Sequence, residues 1–344
     1  MAKTVVGLEI TEESVRAVEV TTGRTPVLVA SGEVALPVGA AKDSEVIDPD
    51  AVALALGQLW SRAGFRTRRV VLGIGSRRIL VREFTTQALH PDLLKQALPF
   101  QVQDLLPVPA SQAVLDFLPI AEADGQVSGL LVAAVSETVE TLLATLQKAK
   151  LRADAVDFAP FGLARVAGVL AAPGETVGMV HVGEHTSYVV IVRDGVPLFV
   201  RILPIDIPNA ASAMNEGVAE MDVDATLEQI FETVPASRRV RLGAGSDLAG
   251  PVPIPAAAAD LAGRVRSTLA FFAGRGDRQR IDRVLLSGTG AGAQGVHDAL
   301  DDAVDMDVVL VSAADLLPVT SGRNDAERDF VSTIALVLGG QEAA

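Results

Sequence analysis

Thr4-Val-Val-Gly-Leu-Glu-Ile-Thr-Glu-Glu-Ser-Val-Arg-Ala-Val-Glu-Val20 and Thr176-Val-Gly-Met-Val-His-Val-Gly-Glu-His-Thr-Ser-Tyr-Val-Val-Ile-Val192 are two copies of one pattern, set half the chain apart and matching without a gap. Each is an apolar β-rich run, a short polar turn (Thr11 to Ser14, Gly183 to Thr186) and a second β-rich run, which reads as a hairpin. Two hairpins in two half-chains predict a duplicated domain with a cleft between the halves. Facing turns in such a cleft can hold one ligand, because each offers backbone N–H groups to an anion.

Outward from the first hairpin, the pattern predicts strands at 4–10, 15–21 and 26–36. A helix follows at 49–63, with Asp48 as N-cap, Pro49 in the first turn and Gly64 as the stop. After a strand at 70–74 come a hairpin-like segment from Arg78 to Phe84, a helix from His90 to Leu106, strands at 113–120 and 129–135, and a helix at 137–149. This block interrupts the core order and reads as an inserted subdomain over 85–153, leaving 1–84 and 154–172 as the first core domain. Residues 171–175 form a linker. The second core is expected at 173–208 and 256–344, with a strand at 197–203, a helix at 256–274, strands at 281–286 and 307–311, and a last helix at 330–338. Residues 209–255, acidic and broken by prolines, read as a small cap.

The 344 residues are 49% hydrophobic, enough for sizeable cores, and carry a net charge of −14. That charge argues against nucleic acid and against unassisted binding to an anionic membrane. With no cysteine and four histidines, thiolate and His-cluster metal sites are not expected, and a reducing cytoplasm is the natural compartment. No run approaches the ~20 apolar residues of a membrane span, and no secretory signal is read at the N-terminus. Direct membrane insertion is not expected.

The element order resembles the actin-like ATPase superfamily and, within it, the type IV pilus assembly PilM family, relatives of FtsA. The segments that carry the resemblance are Gly7 to Val20, Ala97 to Pro109 followed by Val114-Leu-Asp-Phe117, Asp157-Phe-Ala-Pro-Phe161, Arg266 to Phe272 and Ile334 to Leu338. It implies an α/β fold of duplicated actin-like, ribonuclease H-like core domains, with an inserted α/β subdomain in the first half and a small subdomain in the second. It also implies ATP with magnesium in the cleft, and a cytoplasmic protein that binds the N-terminal tail of a PilN-like bitopic membrane protein and so links to the pilus motor apparatus. The membrane-binding helix that ends FtsA proteins is not visible in 339–344.

The resemblance assigns the nucleotide site residue by residue. Glu9, Thr11, Glu12, Ser14 and Arg16 fall on the first phosphate loop, with Thr11 in place of a glycine and Arg16 in place of a lysine. His181, Gly183, Glu184 and Thr186 fall on the second, with His181 in place of the aspartate that holds magnesium through water. Thr11 brings a Cβ where a backbone must approach phosphate closely, and imidazole gives a hard cation no oxygen ligand. Gly288, Thr289, Gly290 and Ala291 form a glycine turn between strand and helix that could receive phosphate or adenosine on free N–H groups. Glu228 occupies the acidic position of the family's Glu-x-x-Lys helix, with Phe231 at the lysine's place. Each group also has a plain structural reading: a solvated hairpin turn, a satisfied strand-end histidine, a tight helix-start turn. These departures predict weak or absent ATP and Mg binding, with no catalytic or metal residue assigned.

Pro99 should kink or split the helix at 90–106. Either this is a surface kink, or the broken helix presents Leu93, Leu94, Ala97 and Phe100 to a groove for an extended apolar peptide. The functional reading is a cytoplasmic adaptor recruited to the inner face of the cell membrane. The alternative is an active actin-like ATPase or a small-molecule kinase of the same superfold.

Overall fold

The computed structural model describes residues 3–207, 256–275, 280–318 and 329–338; the cap expected at 209–255, and Glu228 with it, lies outside these residues. The first half opens with β1 (Thr4–Ile10), β2 (Ser14–Thr21) and β3 (Leu28–Ala35), followed by a small ladder of β4 (Ala41–Lys42) and β5 (Glu45–Val46). Then come α1 (Pro49–Ala63), β6 (Arg69–Ile74), β7 (Leu80–Gln87), α2 (Pro91–Gln101), β8 (Ala113–Ala123), β9 (Gln126–Val135), α3 (Ser136–Lys148), β10 (Arg152–Phe158) and α4 (Ala159–Leu170). The second half contains β11 (Thr176–Val182), β12 (Thr186–Arg193), β13 (Val196–Pro204), α5 (Ala256–Ala273), β14 (Arg283–Ser287), α6 (Val296–Ala303), β15 (Val308–Leu310), α7 (Ala313–Leu316) and α8 (Val331–Ala335).

Two five-stranded sheets share one order, β3-β2-β1-β6-β10 and β13-β12-β11-β14-β15. Their registers coincide as well. Ile10 pairs with Val15 where Val182 pairs with Ser187, and Val6 lies beside Val70 where Gly178 lies beside Val284. Even the strand irregularity repeats, between Glu19 and Val20 in one half and Ile191 and Val192 in the other. A bulge re-aims the strand that carries it, so two at equivalent places give both sheets the same bend.

Local chemistry accounts for the helix boundaries. Asp48 accepts from the N–H groups of Asp50 and Ala51 at 3.0 Å, Pro49 opens α1, and Gly64 ends it at φ 69°, a left-handed conformation open to glycine. Val52, Leu56 and Leu59 then bury one face of α1 on the first sheet.

Several expectations need adjustment. The segment 78–84 is no hairpin; it leads into the single strand β7, an edge of the antiparallel sheet β7-β9-β8. By sheet membership the insert spans 80–135, and α3 belongs to the first core, where Leu142 and Leu146 join α1. Pro99 does not split its helix: α2 runs through it and ends at Gln101, before a 3-10 turn at Gln103–Leu105. The ring is accommodated because it lies in the last turn, where few backbone bonds remain to be lost.

The two halves are cross-tied. Helix α4 ends the first half yet packs on β11, β12 and β13 of the second sheet, while α8, near the other end of the chain, packs on β1 and β2 of the first. The helices also meet each other, closely at Gly162 and Ala335. Phe158, Leu163, Met179, Val190, Val331 and Ala335 thus share one continuous core.

Replacing the α1 cap by Asp48→Ala should destabilise the protein by about 1 kcal/mol, measured by denaturant unfolding with an unchanged m-value. No change in midpoint would mean that tertiary packing alone fixes the helix start.

Candidate functional site

The parallel strands of both sheets run toward one another, so their C-terminal ends meet at a shared cleft. It is lined by Glu9 to Ser14, Arg16, Gly73 to Gly75 and Ala159 from the first half, and by His181, Gly183 to Thr186, Tyr188, Thr289 and Ser332 from the second. All the candidate residues of the two hairpins are therefore brought together. Gly288, Gly290 and Ala291 adjoin this wall but do not line it, and Glu228 lies outside the described residues.

Within the first turn the hydrogen-bonding groups are used locally. The Thr11 N–H donates to the Ser14 carbonyl at 2.8 Å, and the Ser14 N–H donates to Thr11 Oγ1 at 3.0 Å. Glu9 accepts from Ser332 Oγ at 2.8 Å and Thr333 Oγ1 at 2.6 Å, which ties the end of β1 to the start of α8. Arg16 is buried: it donates to the Asp329 carbonyl, pairs with Glu33 at 3.8 Å and lies over the Phe330 ring. It anchors the chain entering α8 and is not presented to the cleft as a free cation. Glu12 accepts from the Asp43 N–H at 3.2 Å.

On the opposite wall His181 is buried, bonded through Nδ1 to Ser287 Oγ at 2.9 Å and stacked on Tyr188. Burial lowers its pKa, against the opposing pull of Asp329 and Glu9, so the ring is neutral at physiological pH. Tyr188 crosses the cleft and donates to the Gly75 carbonyl at 2.6 Å; burial raises its phenol pKa. The third turn is closed too. Gly288, at φ 104°, directs its N–H to the Asp329 carboxylate, and Gly290 lies close against Val182 and Gly183.

Glu13 and Glu184, one from each hairpin turn, face each other across the gap. Burial and the hydrogen bond to Glu184 push the Glu13 carboxyl up to about 8, an effect that the nearby His185 only partly offsets. His185 itself bridges Glu13 and Asp206, the latter at 2.7 Å. Burial opposes its charged form, but these carboxylates outweigh it and raise its pKa. The two turns are thus joined by the proton between Glu13 and Glu184 and by the contact of His185 with Glu13. From the sequence, Glu13 counts only as added negative charge beside the first turn and His185 has no role, because only the closure of the two halves sets them opposite one another.

A larger cavity, about 790 Å³, lies elsewhere: a groove between the insert and the first core, within the usual range of roughly 300–1,000 Å³ for ligand sites. One wall is Leu94, Lys95 and Leu98 of α2; the others are Val114 to Phe117 of β8 and Val156 to Phe158 of β10. Among the described residues neither β8 nor β10 has a strand neighbour on one side, so two strand edges flank it. Of the four candidate partner residues only Leu94 lines the groove. Leu93 and Phe100 are exposed, Phe100 at 83%, and Ala97 is half-buried away from the groove lining. The reason is helical phase: Leu93, Ala97 and Phe100 share one stripe of α2, and Leu94 and Leu98 the adjacent one.

The family model described as "Type IV pilus assembly protein PilM" matches residues 7–204, more than half of the chain. The chain belongs to this family. The matched PilM region includes both hairpin turns and the whole groove, and it stops before the Gly288 turn. A solved chain described as "PilM-PilN type IV pilus biogenesis complex" superposes with TM-score 0.78 at 24% identity, covering 99% of this chain and 100% of that one. Ethanolamine utilization protein EutJ from Carboxydothermus hydrogenoformans superposes with TM-score 0.50 at 10% identity, over 98% of this chain and 90% of that one. No curated protein aligns significantly with the sequence. The fold is the actin-like α/β fold.

In this PilM-family cleft the folded state holds the Glu13 proton more tightly than the unfolded chain does. Its contribution to stability is complete below pH 4.5 and is lost as pH rises to about 8. Glutamine keeps a donor for Glu184 but cannot ionise, so Glu13→Gln should flatten the fall of Tm between about pH 6 and 9. Parallel Tm profiles for parent and variant would rule out this proton as a tie between the turns.

Proposed function

We propose that the protein is an adaptor of type IV pilus assembly that receives the N-terminal tail of a PilN-like inner-membrane protein in the groove between α2, β8 and β10. The observation that carries this reading is the groove itself: large, mainly apolar and flanked by two unpaired strand edges. An extended peptide suits such a place, because its backbone can bond to a strand edge while alternate side chains enter apolar pockets. Likeness in fold to a chain from a PilM–PilN complex supports the choice of partner. Through that partner the adaptor is held at the cytoplasmic face of the membrane and connected to the pilus motor apparatus. None of the described helices is long and apolar enough to cross a bilayer.

The residues present do not fit ATP with magnesium. A polyphosphate needs free N–H groups and cations, whereas here the Thr11 and Gly288 amides already have partners and Arg16 is committed to the 329–330 segment. Glu13 and Glu184 occupy the gap with acidic groups, and neutral His181 stands where a magnesium-linked carboxylate belongs. Cleft and turnover are therefore uncoupled in this reading, and the ATPase or kinase alternative lacks its metal-binding carboxylate.

Val114→Asp or Val156→Asp, on the groove walls, should weaken binding of a labelled PilN-like tail at least about tenfold, by analogy with truncation of a central interface residue. Phe100→Asp, on the outer stripe of α2, should leave it unchanged. Tail binding indifferent to both wall variants would refute the groove.

Excess MgATP should not move Tm. A shift equivalent to about 2.7 kcal/mol, as expected for a ligand at 100 times its Kd, would restore the cleft as a nucleotide site.

A further inference from the structure

The duplication exposes a charge asymmetry between the outer flanks of the molecule. Because the parallel strands of each half end at the cleft, the places where those strands begin lie on opposite outer sides. With six residues in β6 at ~3.3 Å each, the first flank is about 20 Å from the cleft. The edge strand is entered by an equivalent helix-to-strand loop in each half, from α3 into β10 and from α6 into β15, each strand running parallel to its neighbour.

These two loops carry opposite charge. The first contains Lys148, Lys150 and Arg152, and Arg152 sits beside Arg69 on β6, with Arg68 adjacent. All five are exposed; Arg69 pairs with Asp154 at 2.7 Å and Lys148 with Asp50 at 2.9 Å, while Lys150 and Arg152 form no ion pair among the described residues. The equivalent loop contains Asp301, Asp302, Asp305 and Asp307, all exposed and likewise without an ion pair among the described residues. A net charge of −14 accounts for the acidic flank but not for a cationic one at the matching position.

We infer that these flanks form an interaction surface whose partner is a second copy of this chain, the Lys148–Arg152 loop of one copy docking on the Asp301–Asp307 loop of the next. Opposite charge at pseudo-equivalent places makes the surfaces complementary between copies, and their location on opposite sides prevents one chain from satisfying both by itself. The contact is heterologous: each copy keeps one free flank of each sign, so the association extends as an open row rather than closing as a dimer. Exposed charges attract over the Debye length, which makes the row sensitive to salt.

Sedimentation velocity of the full chain tests this. At about 0.01 M salt, where the Debye length is about 30 Å, the average mass should climb with concentration to at least about twice the monomer's, and return to the monomer at about 1 M. The triple variants Lys148→Glu/Lys150→Glu/Arg152→Glu and Asp301→Lys/Asp302→Lys/Asp305→Lys should each stay monomeric, since each then has two flanks of one sign. Mixed together, they should associate again, a rescue that simple misfolding cannot produce. A monomeric parent at low salt, association that ignores either reversal, or a mixture without rescue would overturn the proposal. So would a monomeric parent that binds anionic phosphatidylserine vesicles through the cationic flank, which would assign that flank to a membrane surface.

Discussion

The crossing of α4 and α8 is the constraint on which the rest of the structure depends. Each helix belongs by sequence to one half and by packing to the other's sheet, so neither half completes its core alone. Leu163, Val166, Val331 and Ile334 are fully removed from water, each contributing roughly 1.5–3 kcal/mol to keeping the halves together. Close approach at Gly162 and Ala335 is possible because both residues are small. A cross-tie of this kind sets the separation of the sheets, and that separation sets what the facing turns can do.

At that separation the cleft satisfies itself. Ser332 and Thr333 of α8 close on Glu9, the backbone just before α8 binds Arg16, and Asp329 takes the Gly288 amide. The segment that ties the second half to the first therefore also takes up Glu9, Arg16 and the Gly288 amide. What remains between the turns is a proton shared by Glu13 and Glu184, an arrangement that holds two carboxyl groups together only while one of them is neutral. The groove differs in kind. Its walls are mainly apolar, it is flanked by strand edges that have no strand partner among the described residues, and it lies where the insert meets the first core. The proposed docking groove and the cleft are thus separated in space, and the groove is the roomier of the two.

How far the sequence could be read differs from element to element. Helix α1 was legible to the residue at both ends because its signals are local: Asp48 caps, Pro49 opens, Gly64 stops. Helix α2 was legible as a helix, but the groove was assigned Leu93, Leu94, Ala97 and Phe100, of which only Leu94 lines it, together with Leu98. A rotation of one residue about a helix axis, 100°, moves the apolar face from solvent to wall, and an amphipathic pattern with apolar residues on both stripes does not fix the rotation. The segment at 78–84 was read as turning back on itself, although β7 continues straight to pair with β9, some fifty residues onward, a partnership with no local signature.

The sequence by itself determined the duplication: two hairpins with one spacing fold with one register and one bulge each, because equal apolar runs joined by turns of equal length pair in the same way. It also determined that the two turns would carry carboxylates, an arginine and a histidine where a phosphate site would want glycines and an aspartate. Tertiary structure alone decided which of those groups are spent. Arg16 meets Asp329, Glu9 meets Thr333 and Glu13 meets Glu184 across separations of up to more than three hundred residues. Such pairings depend on how two sheets are drawn together by α4 and α8, and no periodicity within either half encodes that distance.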